Sequence, residues 1–172
     1  MRKETIMKTW ICLLLSVLFV LSLASCETSP DVTDAAFEAY KANGVSVPLD
    51  AEAKSLLEAL GTPRATAETN SCYGDGKDKV YEYASFRVET YTVKNVEYIL
   101  SVTVFDDSSL ANAQTTEGVA LGAAKEDVTA VYGTPTLEDS FKLVYVNLAL
   151  KTKLQFSISN GRVTKIEYLR SE

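Results

Sequence analysis

The chain has 172 residues, 17 basic against 23 acidic, and a formal net charge of −6 at pH 7. An acidic balance argues against nucleic acid, whose phosphates must be neutralised by Lys and Arg. The absence of histidine removes Ser-His-Asp and Cys-His nucleophile systems and imidazole metal sites. No other metal-ligand or cofactor motif stands out, and no metal and no cofactor is expected.

Arg2, Lys3 and Lys8 precede an uncharged apolar run over residues 11–22. That run is shorter than the roughly 20 residues a bilayer core requires, and it ends in small residues and a cysteine rather than a charged stop. Basic lead, short apolar centre and small residues make a secretory signal over residues 1–25, with translation starting at Met1 or Met7. Leu23-Ala24-Ser25-Cys26 resembles the lipobox of bacterial lipoprotein signals. That resemblance implies cleavage before Cys26, lipidation of Cys26 and an extracytoplasmic protein anchored to the cell membrane by acyl chains. Three basic residues leave with the signal against one acid, Glu4, so the mature part is more acidic still. Charge alone would not dock it on anionic lipid, and the lipid on Cys26 supplies the membrane contact.

Residues 26–36 are rich in Ser, Thr, Pro and Asp and form a tether. Cys12 goes with the signal and Cys26 is lipidated, which leaves Cys72 without a disulfide partner. Its two readings are a buried small hydrophobe and a reactive thiol favoured by Lys77 and Lys79.

Residues 37–49 admit two readings. Asn43-Gly44 is a hairpin turn between alternating apolar residues, or Gly44 closes a helix over 34–42; the alternation favours the hairpin. Residues 50–60 read as a helix capped by Asp50, with Ala53, Leu56, Leu57 and Leu60 on one face and Gly61 and Pro63 at its end. The pattern recurs. Val47-Pro-Leu49 matches Val119-Ala-Leu121, and Gly61-Thr-Pro63 matches Gly133-Thr-Pro135. Residues 80–83, 86–93 and 98–105 read as strands after the first helix; 143–146, 153–159 and 162–169 follow the second. Lys94-Asn95 and Asn160-Gly161 sit at matching turns, and residues 64–79 read as a longer loop in the first copy. The expected fold class is therefore α+β, with two tandem copies of a helix plus a three-stranded antiparallel meander over 37–107 and 108–172.

This arrangement, with Leu121-Gly122 and Tyr132-Gly-Thr-Pro135, resembles the β-lactamase inhibitor proteins and small outer-membrane assembly lipoproteins. Asn43-Gly-Val, Leu60-Gly-Thr-Pro, Ser71-Cys72 and Asp78-Lys-Val-Tyr81 are more similar to lipoproteins of single-membrane anaerobic bacteria. The resemblance implies a fold and a location and carries no catalytic residue.

Strand alternation sorts the sheet into two faces. Phe86, Val88, Leu100, Val102, Val104, Leu154, Phe156, Ile158, Ile166 and Tyr168 point to the helices. Arg87, Glu89, Tyr91, Ser101, Thr103, Lys153, Gln155, Lys165 and Glu167 form the other face. That face is either a solvated surface of cross-strand charge pairs or a docking surface with Tyr and Arg as anchors. The loop over residues 71–78 lacks the ligand spacing of a calcium loop and the following helix of a phosphate loop. Asp106 and Asp107 read as turn residues. The leading expectation is a protein-binding or envelope-assembly module facing another envelope or extracellular protein. The alternatives are an extracytoplasmic enzyme using carboxylates or Cys72, and a purely structural envelope lipoprotein.

Overall fold

The computed structural model describes residues 39–42, 45–105 and 114–170. The signal segment, Cys26, the tether, the Asn43-Gly44 turn, Asp106 and Asp107 lie outside the described residues. Strand β1 (Ala39–Ala42) pairs antiparallel with β2 (Val45–Pro48), Ala42 opposite Val45. Residues 39–42 and 45–48 thus take the strand alternative, and the helix over 34–42 is not what 39–42 adopt. Helix α1 (Ala53–Leu60) follows, then β3 (Ala65–Asn70), β4 (Lys77–Glu82), β5 (Phe86–Val93) and β6 (Val96–Val104). Next come β7 (Gln114–Thr115), α2 (Lys125–Tyr132), β8 (Leu137–Glu138), β9 (Lys142–Asn147), β10 (Thr152–Ser159) and β11 (Arg162–Arg170).

The architecture corrects the expected α+β tandem of helix plus three-stranded meander. The described chain is mostly antiparallel β-sheet. One eight-stranded sheet runs β3-β4-β5-β6-β11-β10-β9-β8, and a small three-stranded sheet runs β2-β1-β7. Each helix has only eight residues, about two turns, too short to form a layer of its own. Two strands lie where loops were expected. Residues 65–70 carry no apolar alternation, and all six are exposed. Their pairing to β4 is a backbone matter that hydrophobic period does not register. Strand β8 is two residues long and likewise exposed.

Asp50 is not the helix cap. Glu52 takes the N-cap position of α1 with no side-chain cap bond, while Asp50 sits in the left-handed region at φ 59°. The Asp50 N–H donates to the Ile99 carbonyl at 2.8 Å, and Ile99 N–H donates to Ala51 O at 2.9 Å. These bonds lay the β2–α1 connection alongside β6. Asp127 does act at the start of α2, its carboxylate accepting the Ala124 N–H at 3.1 Å. The Lys94-Asn95 and Asn160-Gly161 turns both hold two consecutive positive φ values, as a type I′ hairpin turn needs.

The core lies on one face of the large sheet. Phe86, Val88, Val102, Val104, Leu154, Phe156, Ile166 and Tyr168 meet Val47 of β2, Ala53 and Leu60 of α1, and Val128 and Tyr132 of α2 in one buried cluster. Tyr132, Tyr145 and Phe156 form an aromatic set with centroids 5.3–6.1 Å apart. Leu100 departs from its expected place. Glu89 pairs with Ser101 and Thr90 with Ile99, so Leu100 is the extra residue of a bulge and Ile99 is the buried one.

Candidate functional site

The face of the large sheet turned away from α1, α2 and the small sheet is the broadest candidate surface. Its side chains come from the residues alternating with the core set, so register decides what stands beside what. One row crosses the whole sheet: Ala65, Glu82, Arg87, Thr103, Glu167, Gln155, Val144 and Leu137 are successive cross-strand partners from β3 to β8. Its centre is polar, and its ends are small or apolar.

Four of the charged groups on this face, Arg87, Glu89, Lys165 and Glu167, stand in two pairs. Arg87 Nε lies 3.3 Å from Glu89 Oε1, and Ser101 Oγ donates to Glu89 Oε2 at 3.0 Å. Lys165 Nζ lies 3.0 Å from Glu167 Oε2, which also accepts from Gln155 Nε2 at 2.9 Å. Glu167 is thereby held between β10 and β11, its side chain only 12% exposed. Lys153 is half-buried opposite Val146 and Leu169. The structure thus brings Arg87, Glu89, Lys153, Gln155, Lys165 and Glu167 to one surface.

Three expected members are not available there. Ser101 is 2% exposed and Thr103 3% exposed. Tyr91 is 8% exposed, and its hydroxyl donates to Asp50 Oδ1 at 2.9 Å while accepting from Arg170 Nη1 at 3.0 Å. The Arg170 guanidinium stands 5.5 Å from the centre of the Tyr91 ring. Burial, then the Asp50 carboxylate, raise the Tyr91 pKa. Sequence reading missed this group because its members are far apart in the chain and none belongs to a recognisable spacing.

A second polar group, also missed, lies at the other margin of α1. Glu97 Oε1 accepts from Tyr81 Oη at 2.7 Å and from Thr90 Oγ1, and Glu97 Oε2 takes Lys79 Nζ at 3.1 Å. Burial works against ionisation of Glu97, but the bonds from Thr90, Tyr81 and Lys79 and the charge of Lys79 outweigh it and lower the pKa. Tyr81 is pushed up by burial and by this carboxylate. The adjoining hollow, about 380 Å³, is lined by Glu52, Lys54, Leu57, Glu58, Tyr81, Asn95, Val96 and Glu97. Both Glu97 oxygens are already engaged within the chain, so the group acts as a structural clasp between β4, β5 and β6.

Cys72 is exposed, which corrects its reading as a buried small hydrophobe. Its backbone N–H donates to Asp78 Oδ2 at 3.3 Å. Lys77 Nζ goes to Asn70 at 2.8 Å and Lys79 to Glu97, so both expected thiolate partners are bound elsewhere. Among the described residues, no helix is long and apolar enough to cross a membrane. Comparison of the chain with protein-family models, with curated proteins and with solved structures finds no match in any of the three.

Proposed function

We propose that this chain is a lipid-anchored extracytoplasmic binding module that presents the outer face of its eight-stranded sheet to another envelope or extracellular protein. The observation that carries the reading is the one-sided packing of that sheet. Both helices and the small sheet take one face, while Arg87, Lys153, Gln155, Lys165 and Glu167 stand half-buried on the other. Arg87, Lys165 and Glu167 are already paired and oriented, and Gln155 is bonded to Glu167, so a partner settling on them has less side-chain freedom to remove. Arg87 is of the residue type that most often anchors such contacts. The anchor rests on Leu23-Ala24-Ser25-Cys26 following the apolar run.

The test places a photo-activatable side chain at Lys153 on the outer face or at Lys54 on α1, in cells that carry the full chain. An adduct with one envelope or extracellular protein is expected from position 153 and none from 54. Adducts from 54 alone, or from neither, overturn the binding face. Cys26→Ala should leave an unprocessed or soluble form; a membrane-bound product of mature mass would remove the anchor.

A further inference from the structure

We infer that β3 is a docking edge for a second copy of this chain, joined antiparallel about a twofold axis through Ala67. The two edges of the large sheet are treated very differently. At one, β8 has only two residues, and Glu138 is held 2.6 Å from Lys125. Such short, charged edges do not accept another strand. At the other, β3 runs six residues as Ala-Thr-Ala-Glu-Thr-Asn. All six are exposed, one is charged, and no proline or bulge interrupts their pairing with β4. A row of main-chain donors and acceptors open to water is a template for a further strand.

The hydrogen-bond alternation says which groups are open. Ser71 N–H donates to Gly76 O at 3.3 Å, continuing the Asn70–Lys77 register, so odd residues of β3 bond inward to β4. The β4–β5 pair agrees. Tyr83 N–H donates to Phe86 O, so odd residues of β4 bond to β5 and its even residues are left for β3. Thr66, Glu68 and Asn70 therefore turn their backbone groups outward.

Directly opposed residues of an antiparallel pair are both hydrogen-bonded or both not, which restricts the registers two copies can take. A twofold at Glu68 would set two carboxylates face to face, which is destabilising. A twofold at Ala67 sets Thr66 of each copy opposite Glu68 of the other, both outward-bonding. The two Ala67 methyl groups then fall in the closely spaced, non-hydrogen-bonded position that small side chains fit. Arg64, exposed just before β3, is held at the end of the edge by its N–H, which donates to Glu82 O at 2.6 Å. In this register each Arg64 lies diagonally across from Glu68 of the second copy, within reach of a long side chain. Opposite charges meet twice across the axis, which favours a second copy as the occupant. Two eight-stranded sheets become one continuous sheet, and the outer face is left free.

Sedimentation equilibrium of the full chain in density-matched detergent tests this. The wild-type chain should form a dimer. Thr66→Pro removes an N–H that β4 does not use, so it should raise the dimer dissociation constant at least about tenfold with the circular-dichroism spectrum unchanged. Glu68→Arg should weaken the dimer and Arg64→Glu with Glu68→Arg should restore it, an arm that stands even where Thr66→Pro disturbs folding. A wild-type monomer throughout, a dimer that survives Thr66→Pro in a folded chain, or no restoration by the double reversal overturns the inference. Because β3 is an edge strand with β4, β5, β6 and β11 between it and β10, these outcomes leave the cross-linking result at Lys153 independent.

Discussion

The carboxylate of Asp50 and the guanidinium of Arg170 meet at 3.2 Å although 120 positions separate them. Asp50 lies in the left-handed turn that leads into α1, and Arg170 is the last residue of β11. Tyr91 of β5 closes the group by bonding to both. Three elements brought together from across the chain are therefore tied at one end of the sheet.

The pair is partly exposed, at 31% for Arg170 and 43% for Asp50, so its ionic part is screened by water. The bond to buried Tyr91 is worth more, because the phenol loses it without gaining solvent. Asp50→Ala is expected to destabilise by about 0.5–2 kcal/mol, with a coupling to Arg170→Ala of about 0.3–1 kcal/mol in a double-mutant cycle. Urea unfolding of the single and double variants measures both. Strict additivity would show that Arg170 and Asp50 act separately.

Glu97 gives the chain a pH-dependent element. Its folded pKa lies below the ordinary 4.5, because its hydrogen bonds and Lys79 outweigh the cost of burial. A depressed carboxyl contributes stability that is complete above the unfolded pKa and is lost as pH falls through the folded value. Glu97→Gln keeps the shape and removes the charge. It should lower stability at pH 7 and flatten the loss between about pH 5 and pH 3. Unfolding midpoints across that range test it. A variant whose acid loss runs parallel to that of the wild type would place the acid sensitivity in other carboxyls.

The legible parts of the sequence were those with a local physical cause. Thr152–Ser159 alternates strictly and has the burial to match, because one of its faces meets the core. Asn160-Gly161 marks its turn because both residues tolerate positive φ. What escaped was non-local or unpatterned. Strand β3 is held by backbone pairing alone, so its side chains show no period. The bulge that passes over Leu100 and buries Ile99 depends on how β5 and β6 slide past each other. Asp50 reads as a cap from its position before a helical pattern, yet Arg170 and Tyr91 claim its carboxylate. The fold class is misread for the same reason: each helix has only eight residues, and β3 and β8, exposed throughout, carry no apolar period that would show the sheet extending past the meanders. The outer face was readable in its alternation, but not in which of its members lie covered.

Gly61 and Gly133 end the two helices in the same way, and each can be tested by a single methyl group. Gly61 has φ 86° and ψ −161°, Gly133 φ 72° and ψ −151°. That region lies beyond the left-handed helical well and is essentially closed to residues with a Cβ. The Gly61 N–H returns to Leu57 O at 3.2 Å and Glu58 O at 3.3 Å, closing the last turn of α1 before the chain swings into β3. A Cβ built at Gly61 meets nothing within 4 Å, so a substitution there is opposed by backbone strain and not by crowding. Gly61→Ala should therefore destabilise by about 1–3 kcal/mol. A surface substitution free of such strain would change stability by less than about 0.5 kcal/mol. Thermal unfolding of the wild type and the single variant measures the difference. A loss of only a few tenths would mean that the chain can leave α1 by another path, and that the glycine is not what sets the direction of β3.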